Sequence, residues 1–247
     1  MLNEYRKQLD AIDDALVDAF SIRLDIIDQI SAYKREHHID AYDPNREQQM
    51  LCRLTERVPE DRREAIKALY ASILAISKAQ QRFQNTNVVL IGMPGSGKTA
   101  IARLLADELL RPIASTDEEV ERRIGMPIET MFHTQGEAAF RAVETEVVRS
   151  LSAVWGSIIA TGGGTILSPE NRAILRENSR IYYIKRPLSE LDTAGRPLSQ
   201  GEGALERLYA ERHEIYETFS DVQFDADEDF SETARRIADE FRSHFHI

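Results

Sequence analysis

Cysteine is almost absent. Cys52 is the only one in 247 residues, so no disulfide can form within the chain and no cysteine-built metal site is expected. Long apolar runs are missing too. No stretch of 18 apolar residues occurs, which excludes a membrane-spanning helix of the usual kind. The opening residues, MLNEYRKQLD, are charged and lack the apolar core of a signal peptide, so a cytoplasmic location is expected. Positive charge is in short supply, with 31 Lys and Arg against 42 Asp and Glu and a formal net charge of −11. That balance argues against non-specific nucleic-acid binding, which needs a basic footprint. There is no internal repeat or low-complexity segment. Neither glycine nor proline occurs before Pro44, and the first 85 residues hold no convincing strand.

What is present divides into two patterns. Leu9, Ile12, Leu16, Phe20, Ile27, Ile30 and Tyr33 recur at steps of three to seven, the stripe of an amphipathic helix. With nothing to break it, one helix is predicted from about Asn3 to Arg35, roughly 50 Å long at 1.5 Å per residue. A three-helix unit of this size cannot cover so long a helix, so a partner chain is expected to. A second helix should start at Asp43, a capping residue, with Pro44 in the first turn, and end near Val58, ahead of Pro59. A third should run from Asp61 to Gln84. After QNTN, short apolar runs alternate with helical stretches. Val88–Ile91, Ile113–Ser115, Ile158–Ala160, Ile181–Lys185 and Val222–Asp225 read as five strands of a parallel α/β sheet. The boundary is placed at 85/86, giving domains 1–85 and 86–247. The short linker is not Gly/Ser-rich.

Residues 92 to 99, GMPGSGKT, follow the first strand and open a helix. They fit G-x-x-x-x-G-K-[ST], a loop whose Gly92, Gly95, Ser96 and Gly97 let backbone N–H groups approach phosphate oxygens. Lys98 would reach the terminal phosphates and Thr99 would ligate Mg2+, so ATP and Mg2+ are the expected cofactors. The acceptor must be read elsewhere. Asp117 follows the second strand, at the carboxyl end where open α/β sheets bind ligands. Arg141 falls on a helix, and Gly162, Gly163 and Gly164 lie just past the third strand. Arg196 sits in a Gly-flanked stretch, and Arg212 on a late helix. Each is weak alone, since an isolated helical arginine is usually a solvated ion-pair partner.

Together and in this order they closely resemble shikimate kinase over nearly all of residues 87 to 247. The family pattern falls on Gly92–Thr99, Asp117, Gly136–Glu144, Gly162–Gly164, Arg196–Leu198 and Arg212–Tyr216. The resemblance implies that Arg141, Arg212 and the Gly163/Gly164 backbone hold the carboxylate and hydroxyls of shikimate. It implies that Asp117 binds the acceptor hydroxyl and helps remove its proton, and that Arg196 closes over the transferring phosphate. Two departures stand out. The family's first acid in D-x-D is Ser115 here, a position that supports Mg2+ through water. The lid is short and lacks the basic residue the family places ahead of it, against adenine.

The helical segment carries a second set. Arg23 and Lys34 are eleven residues apart and share a helix face. Asp43, Arg46 and Glu47 cluster at the second helix start, and Ser77 and Gln81 lie one turn apart on the third. Arg6 is rotated roughly 100° from the Arg23 face and lies far along the helix. These residues at these spacings resemble the all-helical chorismate mutases, over about residues 2 to 84. That family is an intertwined dimer of three-helix chains, in which one arginine crosses from the partner. Arg6 fits that part. The resemblance implies that Arg6 and Arg23 hold two carboxylates, with Ser77 assisting. Lys34 and Gln81 donate to the ether oxygen, Glu47 with the Asp43 region holds the ring hydroxyl, and Arg46 orients Glu47 or a carboxylate. Asp43 reads equally well as a helix cap.

The combined expectation is an all-α mutase-like domain and an α/β P-loop kinase domain in one homodimeric, bifunctional enzyme. Its substrates would be chorismate and shikimate, with no nucleic acid or membrane partner. The two reactions are not consecutive, so fixed stoichiometry or cross-regulation suits the fusion better than channelling. Three alternatives stay open: a kinase with a helical dimerising or metabolite-sensing module, an active mutase with an impaired kinase, and a P-loop kinase for another small hydroxyl acceptor.

Overall fold

The computed structural model describes residues 1–37, 39, 43–192, 203–226 and 228–247. The chain forms two compact units, Met1–Gln84 with Phe245–Ile247, and Asn85–His244.

The first unit is helical. Helix α1 (Leu2–Glu36) runs unbroken for 35 residues, as a stretch without glycine or proline permits. Helix α2 (Pro44–Thr55) starts on Asp43, whose carboxylate accepts the Arg46 backbone N–H at 3.0 Å. It ends three residues before the expected Val58. Its last hydroxyl, on Thr55, bonds back to the Leu51 and Cys52 carbonyls, and the chain leaves helical geometry ahead of Pro59. A 3-10 turn, Glu60–Arg62, leads into helix α3 (Arg63–Asn85).

Polar bonds tie the second half of α1 to α3. Asp28 accepts from Gln80 at 2.9 Å, and Arg35 donates to the Gln84 carbonyl at 2.8 Å. Only Ile27 and Ser31 of α1 are buried. Leu9, Ile12 and Leu16, more than half exposed, leave the apolar stripe of its first half open.

The second unit is a five-stranded parallel sheet in the order β2-β3-β1-β4-β5, formed by β1 (Asn87–Ile91), β2 (Ile113–Ser115), β3 (Ile158–Ala160), β4 (Ser179–Lys185) and β5 (Val222–Asp225). β1 lies at the centre, with Val88 opposite Ile158 on one side and Arg180 on the other. Its residues are all buried, which is why it reads as a continuous apolar run rather than an alternating one.

The helices between and after the strands are α4 (Lys98–Leu109), α5 (Thr116–Ile124), α6 (Ile128–Ser152), α7 (Pro169–Glu177), α8 (Ala204–Phe219) and α9 (Phe230–His244). One core gathers Val89, Ile91, Ile159, Ile181 and Tyr183 with Leu175 and Tyr216. α9 buries Ala234, Ile237, Ala238 and Phe241, and packs against α4. α6 is interrupted at Gly136, where φ 82 and ψ 170 lie outside helical space. A left-handed φ of this kind favours glycine.

Candidate active sites

In the second unit the strand ends converge on a cavity of about 960 Å³. Its floor is the loop between β1 and α4. Gly95 and Gly97 take φ values of 82 and 89, and a side chain on Gly97 would run into the Phe230 ring. Lys98 is 7 % exposed, and its ammonium donates to the Gly92 and Met93 carbonyls at 3.0 and 2.8 Å. The Lys98 ammonium is therefore held within the loop that it closes. Ser96 is fully buried, and its Oγ has no hydrogen-bond partner among the described residues. Burying an unbonded hydroxyl is costly, so this atom is poised for a ligand oxygen. Thr99, in the first turn of α4, also lines the cavity.

The three glycines after β3 have three different neighbours. A Cβ on Gly162 would collide with the Asp117 carboxylate, while one on Gly163 would lie 2.6 Å from Cγ and Cδ of Pro94. A Cβ on Gly164 would sit 2.8 Å from Nη2 of Arg141. The Gly162 N–H also donates to Thr116 Oγ1 at 2.7 Å. Without side chains, this run lets the acid, the phosphate loop and the arginine approach one stretch of backbone.

Asp117 reaches this point because α5 begins directly after β2. Ser115 caps that helix, its Oγ accepting the Glu118 N–H at 3.4 Å.

Arg141 is gripped by two acids of its own helix. It donates to Glu144 at 2.8 Å and to Glu137 at 3.0 and 3.2 Å. Burial works against its charge, but Glu144 and Glu137 outweigh that and raise its pKa. Glu144 is 1 % exposed, and its second oxygen accepts the Thr165 hydroxyl at 2.7 Å.

Arg212 projects from α8 and is 5 % exposed, with its Nε lacking a hydrogen-bond partner among the described residues. One turn later, Tyr216 is fully buried and donates its hydroxyl to the Gly163 carbonyl. Burial pushes the Tyr216 pKa up to about 12, against the pull of Arg212. Arg196 lies outside the described residues. The structure thus brings Lys98, Thr99, Asp117, Arg141, Gly163, Gly164 and Arg212 around one cavity.

Glu144, Tyr216, Pro94 and Phe230 received no role from the sequence. Glu144 and Tyr216 close the pattern segments Gly136–Glu144 and Arg212–Tyr216, and their i, i+3 and i, i+4 spacings from Arg141 and Arg212 put each on the face of its arginine. Pro94 and Phe230 meet the site through the fold alone.

In the helical unit, Arg23 of α1 donates to the Ser77 hydroxyl of α3. Glu47 of α2 pairs with Lys78 of α3 at 2.9 Å. Gln81 follows Ser77 by one turn, and Lys34 is partly buried further along α1. Asp43 acts as a cap, and Arg46 is exposed. Arg6 stands apart: exposed, seventeen residues and roughly 25 Å of helix axis from Arg23. Lys78 had no signal in the sequence beyond its place beside Ser77.

Residues 94–242 match the shikimate kinase family, and residues 5–82 match chorismate mutase type II. A shikimate kinase of Moorella thermoacetica is 38 % identical over 164 residues, covering 64 % of this chain and 95 % of the relative. One of Nitrosomonas europaea is 37 % identical over 148 residues, covering 57 % of this chain and 70 % of the relative. Among solved structures, shikimate kinase from Acinetobacter baumannii in complex with shikimate superposes with a TM-score of 0.63 at 29 % identity. That match covers 67 % of this chain and 98 % of the other. The Aquifex aeolicus enzyme gives a TM-score of 0.58 at 29 % identity, over 64 % and 97 % of the two chains. The chain belongs to the shikimate kinase family, and its kinase domain is preceded by a chorismate mutase type II domain.

Proposed function

We propose that this chain is a bifunctional enzyme that transfers the γ-phosphate of ATP to the 3-hydroxyl of shikimate and rearranges chorismate to prephenate. The observation that carries the kinase half is Arg212. Arg212 is 5 % exposed, its Nε has no hydrogen-bond partner among the described residues, and it shares a cavity with a phosphate loop and Arg141, a setting that supports a small anionic acceptor. Arg141 and Arg212 clamp its carboxylate, and the Gly163 and Gly164 backbone takes its ring hydroxyls. Asp117 accepts the proton of the attacking hydroxyl. Lys98 exchanges its loop carbonyls for the terminal phosphates, and Arg196 closes over the phosphate in transfer. Phosphoryl transfer needs this positioning and charge neutralisation more than covalent help.

The donor set fits a magnesium nucleotide, because Ser96 Oγ seeks a partner and the Thr99 hydroxyl lines the same cavity. Thr99 would hold Mg2+, which supplies charge neutralisation at the phosphates.

The Arg23–Ser77 bond and the Glu47–Lys78 pair support the mutase half, since they collect carboxylate and hydroxyl ligands from three helices. Arg6 and Arg23 hold the two carboxylates of chorismate in the folded conformer, with Ser77 assisting. Lys34 and Gln81 stabilise charge growing on the ether oxygen, while Glu47, with Asp43 and Arg46 around it, holds the ring hydroxyl. The catalysis is conformational trapping plus preorganised electrostatics, with no proton transfer. The open stripe of Leu9, Ile12 and Leu16 supports a homodimer in which a second copy covers α1 and supplies Arg6.

Two assays on the purified protein test the proposal. Shikimate should stimulate ADP formation, and chorismate absorbance should fall without ATP. ADP formation indifferent to shikimate would remove the acceptor assignment. Stable chorismate would leave the helical unit as a dimerising or sensing module.

A further inference from the structure

We propose that Tyr216 is a positioning residue that holds the Gly163 carbonyl and so sets the spacing between the acceptor cradle and the phosphate loop. The inference rests on the acceptor reading above.

The ring of Tyr216 alone would be served by phenylalanine. It is fully buried and stacks on Tyr183, with centroids 5.0 Å apart and planes at 23°. A hydroxyl in such a place is costly unless bonded, and this one donates to Gly163. Gly163 is held from two directions: the Tyr216 hydroxyl takes its carbonyl, and Pro94 fills the space beside its Cα. Pro94 belongs to the phosphate loop.

Arg212 lies four residues before Tyr216 on the same face of α8, close enough for its charge to act on the phenol. One helical turn thus both aims the buried arginine and fixes the glycine whose backbone faces the acceptor. A hydroxyl that must attack in line tolerates little displacement. Slack at Gly163 should therefore show in acceptor binding and in the share of ATP that reaches the acceptor, and not in ATP binding.

Tyr216→Phe keeps the ring and removes the hydroxyl, with its bond to Gly163 and its contact with Arg212, so hydrogen exchange is the readout that isolates Gly163; Tyr183→Phe is the control for packing. In Tyr216→Phe the KM for shikimate should rise roughly three- to tenfold, the loss of one buried hydrogen bond. The KM for ATP should stay unchanged, and ADP formed per phosphorylated acceptor should increase. In the protein without ligands, hydrogen exchange in the peptide spanning Gly162 to Thr165 should speed up. Tyr183→Phe should match wild type in all four. Wild-type shikimate KM and coupling in Tyr216→Phe, or unchanged exchange at Gly162 to Thr165, would overturn the proposal. Equal effects in Tyr183→Phe would overturn it too, by assigning them to packing. A wild-type protein that ignores shikimate would instead sink the acceptor reading, and the exchange measurement would still decide whether Tyr216 holds Gly163.

Discussion

On the resemblance to shikimate kinases Ser115 would take the place of an acid, and its oxygen is engaged as the cap of α5, accepting the Glu118 N–H. If so, a helix cap stands where a carboxylate would face the metal's water shell. Aspartate caps as well as serine does, so Ser115→Asp should leave α5 intact while restoring negative charge near the phosphate loop. ADP formation measured against magnesium concentration should then half-saturate at lower magnesium in the variant. Superimposable curves would mean that another group already fills the role. Arg141 shows how much of a site residue lies beyond its own letter. Its place in the pattern, like that of Glu144, is visible in the sequence, but the grip of Glu144 on it and the Thr165 hydroxyl that holds Glu144 are seen only in the fold.

The elements were more legible than the contacts between them. β2, β3 and β5 begin and end where the apolar runs place them, and β1 and β4 each start earlier. β1 and β3 are buried along their whole length and leave a plain apolar signal, while β2 and β5 are partly exposed. The end of α2 was misplaced because proline marks only the latest possible stop, and Thr55 and its neighbours end the helix sooner. Contacts made only on folding, such as Tyr216 with Gly163 or Lys78 with Glu47, have no periodicity to betray them. α1 has the most direct functional consequence. Arg6 is exposed at one end of a helix whose apolar stripe is open, while Lys34 lies near the other end. If a second copy covers the stripe, Arg6 serves the neighbour's site and Lys34 its own. Arg6→Ala and Lys34→Ala should then each nearly abolish chorismate turnover as homodimers. Refolded together, they should recover about a quarter of wild-type activity, because half the dimers are mixed and each has one intact site of two. No recovery, with heterodimers present by mass spectrometry, would place Arg6 in its own chain's site.

At the scale of the whole molecule, the chain joins a helical unit and an α/β unit, each matching a different enzyme family. The central claim is that it holds two separate active sites, one in each. The most direct test is to disable each in turn and measure both reactions on every protein. Arg212→Ala should lower kcat/KM for shikimate by about 2–5 kcal/mol of transition-state stabilisation, the cost of breaking a buried charge pair. It should leave chorismate turnover at the wild-type rate. Arg23→Ala should do the reverse, abolishing chorismate turnover and sparing phosphorylation of shikimate. Loss of both activities in either variant, or full shikimate kinetics in Arg212→Ala, would contradict the account.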